Sequence, residues 1–315
     1  MKKLKIGYIG LGKMGRNMVL RMQEKGHSVV AFNRNLEGRK DARKAGVKKV
    51  VDSLSELVKN LPAPRLVWIM VSHKGVDEVL DKLLPLLSKG DTIIDGGNCF
   101  FEETVHRAKK VTKSGFRFLD VGVSGGPSGA RSGACLMIGG EKKDFIRLKN
   151  LFADLSVPDG FGYMGGHGAG HFVKMVHNGI EYGMMQALSE GFAIMKKSPL
   201  KPDLTEVARL YNKGSVVESR LVGWLESAFK KFGVELDDVS GAVAHTGEGE
   251  WTVKSAKALG IPAPIIEGSF QFRVASATAP SYTGKVLSAL RNQFGGHDFK
   301  KFRTHLKINR KKSKK

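Results

Sequence analysis

Residues Lys5–Gly15 read KIGYIGLGKMG, a short apolar run, Lys5–Ile9, that passes directly into Gly10-Leu11-Gly12-Lys13-Met14-Gly15. A helical stretch near 14–25 follows, then a second apolar run, Ser28–Phe32. Strand, G-x-G-x-x-G turn, helix and strand in that order are the opening of a dinucleotide-binding α/β fold. Gly10 and Gly12 let the turn form and bring the backbone close to a pyrophosphate, and Gly15 lets the helix pack tightly on the sheet. The helix N-terminus then offers free N–H groups to the phosphates.

Working outward, Leu66–Val71, Thr92–Asp95, Phe116–Val121 and Ala134–Ile138 also read as strands. They are separated by helical stretches such as Gly75–Leu87 and Glu102–Lys113. Near-continuous apolar strands are expected where helices cover both faces of a parallel sheet. The rhythm gives an α/β, doubly wound, Rossmann-like N-terminal domain over residues 1–168. Gly165, Gly166, Gly168 and Gly170 form a flexible approach to a long periodic segment, His171–Lys196. From there the pattern is helical, so residues 169–299 read as an all-α domain and 300–315 as a basic tail.

Across the 315 residues, 52 Lys and Arg against 30 Asp and Glu leave +22. Nine basic and no acidic residues lie in 300–315, so the rest of the chain still carries +13. Such a field favours anionic partners, whether phosphorylated metabolites, nucleotides or nucleic acid. Two cysteines, Cys99 and Cys135, make no disulfide framework, and no clustered metal site is expected. No apolar run approaches the roughly 18 residues of a membrane span. A cytoplasmic, soluble protein is the expectation.

The end of the second strand reads Asn33-Arg34-Asn35 rather than carrying the acid that accepts bonds from a ribose 2′-OH. An amide beside a guanidinium suits a 2′-phosphate, so NADP is expected over NAD. Further on, Lys174, His177, Asn178 and Glu181 stand at i, i+3, i+4 and i+7, on one helix face. An amine, an imidazole, an amide and a carboxylate there can bind a polyol and move protons at two places. The apolar neighbours Phe172, Val173, Met175, Val176 and Ile180 predict a largely buried helix. Two turns complete the pattern: Ser124-Gly125-Gly126, whose amides can cradle a carboxylate, and Asp95-Gly96-Gly97-Asn98, at a strand end where open α/β sheets bind ligands.

Taken together, GLGKMG at 10–15, NRN at 33–35, DGGN at 95–98, SGGPSGA at 124–130, KMVHNGIEYG at 174–183, FQFR ending at Arg273 and RNQFGGH at 291–297 resemble the 6-phosphogluconate dehydrogenase family. The resemblance runs over about residues 4–299, in the family's short form. It implies oxidative decarboxylation of 6-phosphogluconate to ribulose 5-phosphate and CO₂, a step of the pentose phosphate pathway. Lys174 is then the general base and Glu181 the acid. Ser124, Gly125 and Gly126 contact the carboxylate end, while Asn98, His177 and Asn178 contact hydroxyls. Tyr182, Arg273 and Arg291 contact phosphate, with His297 beside them. Leu11, Lys13, Met14, Val71 and Asn98 join the glycines and Asn33–Asn35 on the cofactor, and no metal is implied.

In the family, the segment carrying Arg291 and His297 comes from a neighbouring subunit, which implies a homodimer or homotetramer. Long members place a phosphate-contacting Lys where this chain has Glu250. The nearest alternative is a related β-hydroxyacid dehydrogenase, which needs no phosphate on its substrate. A nucleic-acid-binding protein with a vestigial dinucleotide fold is the alternative from another class. It lacks a recognition-helix or aromatic RNA signature, leaving weak nonspecific binding by the tail.

Overall fold

Alternate residues along each central strand belong to two separate apolar clusters, one on each side of a single sheet. Ile6, Tyr8, Trp68 and Ile94 lie in one, and Ile9, Val67, Ile69 and Ile93 in the other. Strand side chains point to opposite faces in turn, so a strand covered on both sides must be apolar throughout. The computed structural model describes residues 3–245, 247–297 and 299. The basic tail at 300–315 lies outside the described residues.

The elements begin β1 (Lys5–Ile9), α1 (Lys13–Glu24), β2 (Ser28–Phe32), α2 (Leu36–Lys44), β3 (Val50–Val51), α3 (Leu54–Lys59), β4 (Leu66–Ile69) and α4 (His73–Leu83). They continue β5 (Thr92–Asp95), α5 (Phe101–Lys113), β6 (Arg117–Ser124), α6 (Gly126–Ser132), β7 (Ala134–Gly140), α7 (Lys142–Leu155) and β8 (Ser156–Gly165). The sheet order is β3-β2-β1-β4-β5-β6-β7-β8, parallel except where β7 runs against β6. Strand order reverses between β1 and β4, which opens the crevice where doubly wound sheets bind ligands. Beyond the sheet come α8 (Ala169–Lys197), α9 (Leu204–Tyr211), α10 (Arg220–Phe232), α11 (Glu248–Ala258), α12 (Pro264–Ala275) and α13 (Tyr282–Gly295). This is a Rossmann-like domain followed by a helical one, and no described helix is long and apolar enough to cross a membrane.

Two strands escaped the sequence pattern. β3 has two residues, too few to show a period. β8 contains Pro158, Asp159 and Gly160, and Asp159 has φ 55°, so it lacks any apolar alternation. Packing also divides the chain elsewhere than at 168. One compact unit comprises the described residues through Glu181 together with Gly247–Glu267. The other takes the described residues from Tyr182 up to Gly247 and from Gly268 onward, around Phe192, Leu225, Phe229, Val286 and Leu290.

The end of the glycine-rich approach to α8 is anchored to the sheet. Asp120, fully buried on β6, accepts the Gly168 N–H at 2.7 Å and the His171 N–H at 2.9 Å. A Cβ on Gly170 would fall 2.4 Å from the Met137 carbonyl oxygen, and one on Gly122 would fall 2.4 Å from Lys174 Cβ. Glycine at both positions therefore lets helix and sheet touch. An Asp120→Asn substitution keeps one acceptor and turns an NH₂ toward the other donor. Loss of about 1–3 kcal/mol of stability is expected, read as a lower urea midpoint.

Candidate functional site

The loop from Gly10 to Gly15 has the shape that a pyrophosphate needs. Gly10 has φ 104°, open to glycine, and a Cβ there would strike Met70 O at 2.2 Å. A Cβ on Gly15 would meet Gly10 O at 2.0 Å, whereas one on Gly12 would meet open space. α1 begins with no side-chain cap and no acid in its first turn. Its first amides and positive dipole end thus suit an anion. Leu11 is buried, Met14 packs on the core, and Val71 lies beside Gly10.

Asn33 organises the loop after β2. Its Oδ1 accepts the Leu11 N–H at 2.9 Å, and its Nδ2 donates to Asn35 Oδ1 at 2.8 Å. Asn35 Oδ1 also accepts the Gly38 N–H and caps α2. Arg39 donates to the carbonyls of Asn33 and Arg34. The Arg34 side chain is 85% exposed and donates to Glu78 at 3.2 Å.

On α8 the four polar residues converge as their spacing requires. Lys174 Nζ donates to Asn178 Oδ1 at 2.7 Å and lies 3.3 Å from His177 Nδ1. His177 Nδ1 is 3.1 Å from Asn178 Oδ1 and 3.8 Å from Glu181 Oε2. On its other side, Nε2 lies 3.1 Å from Ser124 Oγ. Gly125 and Gly126 follow with φ 127° and 62°, turning the chain from β6 into α6. The apolar face is less closed than expected, since Ile180 is 51% exposed.

Burial depresses the Lys174 pKa, while Glu181, Glu248 and Cys135 pull the other way. Burial wins, favouring the neutral amine relative to an exposed lysine. His177 is pushed down to about 4 by burial and by the Lys174 charge.

Sequence reasoning missed two features. Glu248, buried at the start of α11, accepts a hydrogen bond from Asn98 Nδ2. Asp95, Cys99 and His171 bring ligand-type atoms within 4.8 Å of one another, although no such cluster was expected. The Cys99 thiol donates to Asp95 Oδ2 at 3.7 Å and is pushed up by burial, then by Asp95, with Arg107 opposing. Neither feature could be read locally, because the segment from Asp95 to Cys99 is distant in sequence from His171 on α8 and Glu248 on α11.

The remaining candidates belong to the second unit. Arg273 is 2% exposed, and its guanidinium stacks over the Tyr182 ring at 3.3 Å and donates to Met185 Sδ at 3.7 Å. Arg291 is buried on α13, and His297 lies edge-on to Phe294, its carbonyl accepting from Asn292.

The His177 shift has a sign in solution. Between the ordinary value of 6.5 and about 4, the unfolded chain binds the proton more readily than the folded one. Stability therefore falls as pH falls through that window, and His177→Gln flattens the decline. An NMR titration should place the His177 midpoint near 4 and find it raised in Lys174→Met, where the adjacent charge is gone.

Comparison with known proteins identifies the family. The model of the NAD binding domain of 6-phosphogluconate dehydrogenase matches residues 5–165, and that of the 6-phosphogluconate dehydrogenase C-terminal domain matches 170–281. Bacillus subtilis YqeC, provisionally named a 6-phosphogluconate dehydrogenase, is 45% identical over 93% of this chain and 98% of its own. The Haloferax volcanii NAD⁺-dependent, decarboxylating 6-phosphogluconate dehydrogenase is 40% identical over 94% of this chain and 98% of its own. The solved Plasmodium falciparum 6-phosphogluconate dehydrogenase, described with NADP⁺ and with 6-phosphogluconate, superimposes with TM-score 0.77 at 32% identity. That match covers 87% of this chain and 62% of the longer one. With both family models matched in sequence order and full-length relatives of the same size, the chain belongs to the 6-phosphogluconate dehydrogenase family, as its short form.

Proposed function

We propose that the chain oxidatively decarboxylates 6-phosphogluconate, with NADP preferred over NAD. One observation carries the reading. An amine whose burial favours its neutral form sits one to two turns from a carboxylate, beside an imidazole and an amide. That is the equipment for taking a proton at one carbon and delivering one at the next.

The dinucleotide, when bound, supplies the acceptor for the C3 hydride. Lys174 takes the proton from the C3 hydroxyl as that hydride leaves. The new C3 ketone is the electron sink as the C1–C2 bond breaks and CO₂ departs. Lys174, now protonated, donates to the ketone oxygen and offsets its growing charge. Glu181 then protonates the carbon that has lost CO₂, giving ribulose 5-phosphate. In this assignment Ser124, Gly125 and Gly126 hold the carboxylate, and Asn98, His177 and Asn178 hold hydroxyls. A neutral His177 can accept as well as donate, which suits a hydroxyl. Tyr182, Arg273, Arg291 and His297 are the phosphate contacts, the last two supplied by a neighbouring subunit in a homo-oligomer.

Three measurements check the reading. Absorbance of the reduced cofactor and released CO₂ should both rise with 6-phosphogluconate, and kcat/KM should exceed that for gluconate by at least about 100-fold, since gluconate forfeits every charge-assisted contact to the phosphate. Equal values would favour a β-hydroxyacid dehydrogenase without phosphate selectivity. Lys174→Met should lower kcat by about 10³-fold or more while dinucleotide Kd changes little. Arg34→Ala should cut kcat/KM with NADP by about 10- to 100-fold relative to NAD, the scale of one lost charge-assisted phosphate contact.

A further inference from the structure

α11 is held tightly where it crosses the start of α8. Thr252 Oγ1 donates to the Met175 carbonyl at 2.8 Å, and a Cβ on Gly179 would fall 2.6 Å from Thr252 Cγ2. Glu248 is the first residue of this helix, one turn before Thr252, and it follows Gly247 at φ 100°. The residue is 7% exposed, and its charge lies at the favourable end of the α11 dipole. A carboxylate is an acceptor only, so contact with it compels Asn98 to turn its NH₂ toward Glu248. The Asn98 carbonyl oxygen is thereby kept free to face elsewhere.

We infer that Glu248 is a positioning residue of the Lys174 site: it fixes the orientation of the Asn98 amide and stands, with Glu181, as an anionic neighbour of the Lys174 amine. The inference deepens the proposed function, in which Asn98 meets a substrate hydroxyl and Lys174 is the base. The groups acting on Lys174 are His177 and Glu181 from its own helix, Glu248 from α11 and Cys135 from β7. Among these, Glu248 and Glu181 oppose burial by favouring the ammonium form.

Glu248→Gln keeps the shape, removes the charge and ends the compulsion on Asn98. The acid limb of kcat/KM, where Lys174 becomes protonated, should move to lower pH by about 0.5–1 unit. The accompanying loss in kcat should be about 10-fold, the usual scale for a supporting contact. Glu248→Asp retains the charge and should keep the limb near its wild-type position. The same shift should be seen without turnover, in the pH dependence of Lys174 labelling by trinitrobenzenesulfonate followed by peptide mass mapping.

Labelling and acid limb both unmoved in Glu248→Gln would overturn the inference, and a lowered melting temperature with an unmoved labelling midpoint would reduce Glu248 to a structural role. If the wild-type protein fails to oxidise 6-phosphogluconate but the labelling midpoint still shifts, the substrate reading falls and the role of Glu248 toward Lys174 stands.

Discussion

A single buried carboxylate sets the geometry on which the candidate site depends. Asp120 accepts the backbone N–H groups of Gly168 and His171 and so fixes where α8 begins. On the same face of β6, two and four residues on, stand Gly122 and Ser124. Gly122 lies against Lys174, and Ser124 lies against His177. Two strand residues advance about 6.6 Å and one helical turn about 5.4 Å, so the two repeats stay nearly in step over this short stretch. Cap, close approach and polar contact thus follow one another along the strand as α8 climbs beside it. Any residue with a side chain at position 122 would lift the helix and separate the later pair.

That contact also explains the electrostatics. Pressing Lys174 against the sheet removes water from its amine, and desolvation is the largest influence on it. In the proposed mechanism the same amine must first take a proton and later donate it. Glu181, Glu248 and Cys135 work against the burial by favouring the ammonium form. At His177 the compensation is weaker and comes from its hydrogen bond with Asn178. Burial and the lysine charge both act to deprotonate it, so at neutral pH it is an uncharged imidazole between Ser124 and Asn178. Amine and imidazole, only 3.3 Å apart, therefore do not compete for the same proton near neutrality.

The sheet and the reactive stripe were legible because both rest on short-range periodicity. Apolar runs such as Leu66–Ile69 reveal strands covered on both faces, and the spacing of Lys174, His177, Asn178 and Glu181 reveals a shared helix face. β8 was hidden by Pro158 and its glycines, and β3 by its length. Asp120 looked like one more strand residue, because nothing local says that its partners lie some fifty positions later. Glu248 was hidden in the same way, as an acid in a glycine-rich loop whose partner Asn98 comes from the far side of the sequence. The domain boundary drawn at the glycine run follows composition, whereas packing follows α8 to Glu181 and draws α11 into the first unit.

The cofactor end shows a different use of polar residues. Asn33 spends both ends of its amide inside the protein, on the Leu11 N–H and on Asn35, so it builds the loop instead of awaiting a ligand. Asn35 is likewise committed to capping α2, and Arg39 to the carbonyls of the loop. Arg34 is exposed as Asn35 is, but its guanidinium rests on the likewise exposed Glu78 side chain. An exposed pair of that kind contributes little, at most about 1 kcal/mol, whereas a phosphate accepts two parallel bonds from the same fork. On the proposed reading, Arg34 moves from Glu78 to a 2′-phosphate when NADP binds. Under the proposed preference for NADP, discrimination between the two dinucleotides rests on one displaceable side chain mounted on a loop braced by Asn33, Asn35 and Arg39.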